Sequence, residues 1–522
     1  MLIRQVRPLD IASGQVPALP VDLRIRDGVI TEVTAPDGSS AAAGKRLLRP
    51  DDEEVLDGGG AIAIPGLWDQ HVHSGQLAQA HARLDTSGAG SVGVILELVR
   101  AELAGRREWG TELGQALIGF GHRLVDLAVA PTVPALDGST GTVPTVLIGG
   151  DAHHAWLNSQ ALQMLGLPPR DGIVAEEEWF ELVPRLTELP GVAEADATGA
   201  AMLQRQALQR GVVGVTDMEW GRIWEDWLAR SPRLRVRPAV YPADLEATPG
   251  PTGAVLDTGG MVEMGPLKVI VDGALGSHSA YTRHTYTDGH GYSGRGVLSV
   301  GPEQLTEVLG RARELGLTAA VHAIGDAAAQ VGLDAIEATG IAARLEHAQM
   351  LTDVDVARMA RLGVVASVQP AHLLDDRDAT EELWPGRADQ AFRLRDLFDA
   401  GAGLVLGSDA PVAPLDPWLA MAAAVHRSAD EREGWFPAQQ LQPREALAAS
   451  TDGVVTLEPG GRGDVVLLDE GHTAGYLSDL FADVPSGADG LMVDAAAREA
   501  AHRLREAEVL ATVVAGRLES QR

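Results

Sequence analysis

Two hydrophobic periods divide the chain. Near the N-terminus, VDLRIRDGVITEV (21–33) alternates apolar and polar residues about Asp27-Gly28, the pattern of two strands joined by a tight turn. The same style returns near the C-terminus in GDVVLLD (463–469) and VLATVVAGRL (509–518), which read as strands. Two β-rich ends around a long middle predict one small domain built from both termini, residues 1–62 and 453–522.

The middle is patterned differently. Short β-branched runs recur in AIAIPGLWDQHVH (61–73), GVVGVTDM (211–218), LRVRPAVY (234–241), LKVIVDG (267–273), LTAAVHAIGD (317–326), ARLEHAQ (343–349), VVASVQP (364–370) and GLVLGSDAP (403–411). Between them ELVPRLTEL, EQLTEVLGRARELG, AAAQVGLDAIEA and DVDVARMARLG carry apolar residues at helical spacing. Strands alternating with helices predict a parallel sheet, and eight of them predict an α/β fold of the (β/α)8 TIM-barrel type over residues 63–452. A doubly wound open sheet is the structural alternative, with no GxxxxGK[ST] phosphate loop to support it. The stretch from about 74 to 210 holds no barrel strand and reads as a mostly helical insertion over the barrel mouth.

Composition narrows the function. A net charge of -31 argues against nucleic acid, because a polyanion needs a basic footprint. There are no cysteines, which removes disulfides, thiolate metal sites and cysteine nucleophiles. The opening MLIRQVRPLDIASG lacks the apolar core of a signal peptide, and no run approaches the length of a membrane span. The expectation is a cytoplasmic protein with a small-molecule substrate and no membrane partner; a large apolar barrel is also compatible with a homodimer. One residue stands out against the arginine-rich background. Lys268, in GPLKVIVDG, is one of only two lysines, the other being Lys45.

The polar residues at the C-terminal ends of the predicted strands form a set. The first run ends in Asp69, His71 and His73; the fourth carries Lys268 and Asp272; the fifth His322 and Asp326; the sixth Glu346 and His347; the eighth Asp409. In a (β/α)8 barrel all of these converge on one mouth, where such folds place their chemistry. A strand has period two, so His71 and His73 project to one side and can grip one metal ion. His322, His347 and Asp409 complete a nitrogen and oxygen donor set that suits zinc, and iron, manganese or nickel as well. Asp69, Asp272, Asp326 and Glu346 are candidate acceptors behind the ligating rings, and each could equally cap a helix or pair with a cation. His153, Trp156, Gln369, His372 and Asp376 are candidate substrate-binding groups; the first two lie in the insertion, which reads as a lid.

PGLWDQHVH, LKVIVDGALGS, VHAIGDAA, RLEHAQ, SVQPAH and LVLGSDAPVAPLDP together resemble the amidohydrolase superfamily. In detail they resemble its amidohydrolase-3 branch, the YtcJ-like metal-dependent hydrolases related to N-substituted formamide deformylase. The resemblance runs from about residue 20 to the C-terminus, GGDAHHAWLNS (149–159) shares it, and it implies that the small domain of both termini is the family's split β-sandwich. It implies hydrolysis of a non-peptide carbon–nitrogen bond of an amide, N-formyl group or cyclic amide. It implies two divalent ions, most readily zinc, one on His71, His73 and Asp409 and one on His322 and His347. Lys268 would bridge them as N6-carboxylysine, and Asp409 would shuttle the proton. Only a neutral primary amine adds CO2, so arginine could not replace it; a free lysine, with a pKa of about 10.4, would need burial to get there. Ala410 stands where the family often has a bulky aromatic, so the resemblance carries the chemistry further than the substrate. The alternatives are a one-metal deaminase or aminoacylase of the same superfamily and, from another class, a non-catalytic barrel protein.

Overall fold

All eight apolar runs of the middle form strands: β1 Leu67–Val72, β2 Val212–Asp217, β3 Arg235–Pro238, β4 Leu267–Ile270, β5 Ala319–Ala323, β6 Ala343–His347, β7 Val365–Val368 and β8 Leu404–Leu406. The computed structural model that shows them describes residues 1–35, 46–48, 54–108, 115–122, 124, 127–150, 154–287, 293–470, 479–481, 485 and 492–522. β1 and β2 are buried along their whole length, as strands covered on both faces must be. β1, β2 and β3 pair in order, as do β4 through β8, and every pair is parallel. Two isolated parallel bridges, Val240 to Leu267 and Val72 to Ala410, join the two groups. Strand neighbours therefore run from β1 to β8 and back to β1, a TIM-barrel-like α/β arrangement.

The helices after β4, β5 and β6 span Pro302–Glu314, Asp326–Thr339 and Asp353–Leu362. The first buries Leu305, Leu309 and Ala312, an apolar stripe at helical spacing. The third starts with a capping box, in which Thr352 and Asp355 satisfy each other's backbone N–H groups.

The first apolar run proves to be two strands. Ile62–Pro65 joins the sheet of the termini, and β1 begins after Gly66. A side chain at Gly66 would strike Val213 at 2.3 Å, so glycine is what lets the chain pass from one sheet to the other. The terminal sheet has nine strands, ordered Arg517–Gln521, Val509–Val514, Val465–Leu468, Ile62–Pro65, Leu2–Pro8, Val21–Arg26 and Val29–Thr34, with Arg46–Leu48 and Glu54–Asp57 off this path. Ile3, Leu23, Ile25, Val465, Leu467 and Val513 share one core, so the two ends of the chain are packed together. Asp27 and Gly28 turn with positive φ as expected. VLATVVAGRL contains a second such turn at Ala515-Gly516, where an alanine gave no turn signal.

Ser74–Leu203 forms a second compact unit. Helices such as Val92–Glu108 occupy more of it than strands do, but the helical expectation missed a five-stranded sheet, ordered Val174–Ala175, His154–Leu157, Thr145–Gly149, Leu117–His122 and Leu84–Asp85. Its central strands are short and buried on both faces, so they show no alternation to read. No helix among the described residues is long and apolar enough to cross a membrane.

Candidate metal centre

β1 delivers two imidazoles to one place. His71 Nε2 lies 3.4 Å and His73 Nε2 3.2 Å from the same oxygen, Oδ1 of Asp409. Asp409 follows β8 and is fixed by its N–H, which donates to the carbonyl of His71 at 2.7 Å. From β4, Lys268 brings Nζ to 3.3 Å from His71 Nε2. From β5, His322 stacks edge-on against His347 of β6 at 4.4 Å between ring centres, and His347 is 5.1 Å from His71. Thus His71, His73, Lys268, His322, His347 and Asp409 all meet at the C-terminal ends of the strands. Ligand atoms of His71, His347 and Asp409 lie within 4.8 Å of one another.

The electrostatics leave lone pairs available. Burial, with Lys268 adding to it, lowers His71 to about 4 although Asp409 and Glu346 oppose. Burial likewise lowers His322 to about 3, and His347 falls well below its ordinary value. These rings are therefore neutral at pH 7. Burial alone would raise Asp409, but His71 and the hydrogen bond from His73 hold it well below the usual carboxylate range. Burial lowers Lys268 to about 8 against the pull of Glu346 and Asp409. Nδ1 of His73 and Nδ1 of His347 are buried without a hydrogen-bond partner. Neutral imidazoles, one ionised carboxylate and unpartnered buried nitrogens form a donor set that fits a divalent cation of the zinc type.

The supporting groups differ in role. Glu346 Oε2 lies 2.6 Å from His71 Nδ1, so that nitrogen carries the proton and Nε2 presents its lone pair inward. Asp69 accepts the N–H groups of His71 and Ser408 at 3.1 and 2.9 Å and ties the ends of β1 and β8 together; burial raises it to about 6. Asp272 accepts three backbone N–H groups, of Tyr281, Ile324 and Gly325, and stands 3.7 Å from His322 Nε2; burial raises it to about 7. Asp326 does not back a ligand ring. It opens its helix, accepts the N–H of Arg283 and pairs with Arg387 at 2.7 Å, because its side chain turns to those loops.

Among the substrate-binding candidates, Gln369 is buried with Nε2 3.5 Å from His71 Nδ1 and Oε1 unpartnered. His372 has Nε2 3.9 Å from Asp409 Oδ2 and stacks on His347. Asp376 accepts from Gln349 Nε2 at 3.1 Å, and burial raises its carboxyl. Trp156 is a correction: it is fully buried in the core of Ser74–Leu203, and its indole N–H is spent on the carbonyl of Thr132, so it has no free face for a ligand. His153 lies outside the described residues. Two residues escaped the sequence reading. Arg344 binds both oxygens of Glu346 and Oε1 of Gln70, and Gln70 in turn binds Asp452. Arg344 shares a face with Glu346 at period two, a signal that was present in RLE.

A strand ring with this donor set at its C-terminal end defines a hydrolase site of the metal-dependent kind, and the comparisons agree. The model of the amidohydrolase family matches residues 54–518. The chain therefore belongs to the amidohydrolase family, metal-dependent hydrolases of carbon–nitrogen bonds. It is 30% identical over 487 residues to the protein LONG AFTER FAR-RED 3 of Arabidopsis thaliana, covering 81% of each chain. It is 26% identical over 538 residues to N-substituted formamide deformylase of Arthrobacter pascens, covering 90% of each. The crystal structure of an uncharacterized metal-dependent hydrolase from Pyrococcus furiosus superposes with a TM-score of 0.71 at 25% identity, over 90% of this chain and 98% of that one.

Proposed function

We propose that this chain is a two-metal hydrolase that cleaves an amide, N-formyl or cyclic amide bond of a small molecule, on a (β/α)8 barrel with a β-sandwich drawn from both termini. The observation that carries the reading is the meeting of four histidines, Asp409 and Lys268 at one end of the parallel strands. His71, His73 and Asp409 would hold one ion and His322 and His347 the other. Lys268, which has no carboxylate within ion-pair distance among the described residues, would join them as N6-carboxylysine. Bound divalent ions, zinc first among them, supply Lewis acidity that lowers the pKa of a water molecule and polarises a carbonyl.

The residues of the chain do the rest. Asp409, ionised and pinned by two imidazoles, takes the proton of the attacking water and gives it to the leaving nitrogen. The water oxygen joins the acyl carbon, the carbon–nitrogen bond breaks, both water protons end on the nitrogen, and the products are a carboxylate and a protonated amine, in one molecule where the amide was cyclic. His372 and Gln369, with unpartnered buried polar atoms beside this site, orient the substrate. The name of the Arthrobacter pascens relative makes N-formyl amines the first class to assay. The cluster of His71, His347 and Asp409 alone would hold a single ion, which favours a one-metal deaminase or aminoacylase as the second reading.

Metal content per chain, with intact mass of the native protein and a panel of N-formyl and N-acyl amines, tests the proposal. Two ions, lost in Lys268→Ala and partly restored by short carboxylic acids, are expected. One ion that Lys268→Ala still binds would sink the bridge and leave the one-metal reading.

A further inference from the structure

An aromatic pair stands beside the centre and has no part in it. Trp220 follows β2 and Tyr241 follows β3, and their rings stack with centres 4.0 Å apart and planes 22° from parallel. Tyr241 is buried and its hydroxyl donates to the carbonyl of Met218 at 2.7 Å, so the lower ring cannot move. Trp220 is 56% exposed, the most exposed aromatic among the large hydrophobic side chains on the surface.

The backbone places this pair between two strands of the site. On one side the N–H of Met218 donates to the carbonyl of Val72, the residue before His73. On the other, the N–H of Lys268 donates to the carbonyl of Val240, the residue before Tyr241. Burial, with the carboxylates of Glu219, Asp217, Asp409 and Glu346, pushes the Tyr241 phenol above its usual range, so Tyr241 lies within the field of the centre. A tryptophan is costly to leave open to water, and here one face is locked onto a tyrosine while the other stays free.

We infer that the free face of Trp220 is a subsite for a flat aromatic ring on the substrate, carried on the nitrogen or acyl side of the bond that is cut. This rests on the hydrolase reading, and it names the substrate class that the centre takes. Stacking on the open face of an indole favours a planar ring over a puckered saturated ring of similar size, because only the planar ring lies flat on it. The carboxylate of Glu219 accepts the backbone N–H of Trp220 at 3.1 Å and ties down the main chain that carries the indole.

The test uses metal-loaded enzyme and two probes that it cannot hydrolyse, the methanesulfonamides of 2-phenylethylamine and 2-cyclohexylethylamine. Kd values come from ligand-detected NMR titration. Wild type is expected to bind the phenyl probe about two- to tenfold more tightly, the worth of one aromatic stack. Trp220→Ala should abolish the preference and Trp220→Phe should keep part of it. An unchanged thermal midpoint checks that each variant is folded. Equal affinities in wild type, no binding of the phenyl probe, or a preference that survives in Trp220→Ala overturns the inference. The corresponding formamides, assayed alongside, report on hydrolysis. If neither formamide is cleaved while the phenyl preference holds, the bond assignment has failed and the ring subsite stands.

Discussion

Replacing Glu346 by glutamine removes one charge from a fully enclosed carboxylate of the centre and leaves its shape intact. Glu346 is fully buried. Its Oε2 holds the proton of His71 Nδ1 at 2.6 Å, and both of its oxygens meet Arg344. Burial would push this carboxyl up, yet Arg344 and His71 hold it well below its usual range, so the side chain is a true anion inside the protein. Removing one partner of a buried pair costs about 3–5 kcal/mol. Arg344 keeps other acceptors in Gln70 and Ser367, so the loss in Glu346→Gln should fall at the low end, about 3 kcal/mol. The second effect is on the metal. A weaker acceptor behind His71 makes Nε2 less basic, and losing such a partner lowers metal affinity about 10–100-fold. Urea unfolding of the metal-free protein reads the first effect, and competition with a chelating dye reads the second. Metal affinity within twofold of wild type would show that His71 is not a ligand or that Glu346 does not tune it.

The other expectations concern different positions. A methyl group at Gly407 would stand 2.8 Å from the backbone nitrogen of His71 and 2.9 Å from its Cβ, so Gly407→Ala should displace His71, lower bound metal per chain and cost about 1–3 kcal/mol of stability in urea unfolding. Asp452 accepts from Arg237 at 2.8 and 2.9 Å, from Arg462 at 2.8 Å and from Gln70, and although burial raises it these arginines hold it below its ordinary 3.8. Its stabilising effect is complete above that value and fades as pH falls through the lower folded one. Asp452→Asn should therefore lose about 3 kcal/mol at pH 7, and the gap to wild type should close in urea titrations below about pH 4. Dialysis against a chelator should abolish hydrolysis and lower the thermal midpoint, with both restored by added zinc; activity that survives complete metal loss would refute the metal-dependent reading.

What could be read from the chain was whatever a period fixes. β1 to β8 were legible because each is a short apolar run between helical patterns, and His71 and His73 because strand residues two apart share a face. What could not be read depends on partners far along the chain. The role of Gln70 is set by Arg344, Thr216 and Asp452, which lie on other strands and loops. Trp156 lies in the insertion and from sequence is a candidate substrate-binding group, but the carbonyl that takes its N–H belongs to Thr132, in another loop of the same unit. The sequence leaves Asp326 open between backing a ligand ring, capping a helix and pairing with a cation; Arg283 and Arg387 decide where its carboxylate goes.

The neighbouring residues Glu346 and His347 show why the centre outruns a strand period. Successive side chains of a strand point to opposite faces, so one of the two should face away from His71. Yet Glu346 bonds to the Nδ1 of His71 and the His347 ring lies 5.1 Å from the His71 ring. The backbone resolves the conflict at the end of β6, where His347 takes a left-handed conformation with φ 67° and swings its ring to the side that Glu346 already serves. Asp409, with φ 58°, does the same at the end of β8, so that its carboxylate meets both imidazoles of β1. Non-glycine residues in this region cost about 1–3 kcal/mol each, and they persist only where the surroundings fix them. Here the fixing contacts are the N–H of Asp409 on the carbonyl of His71 and the N–H of Ser408 on Asp69. The strands bring the donors to one end of the ring, and two strained residues turn them toward a common point.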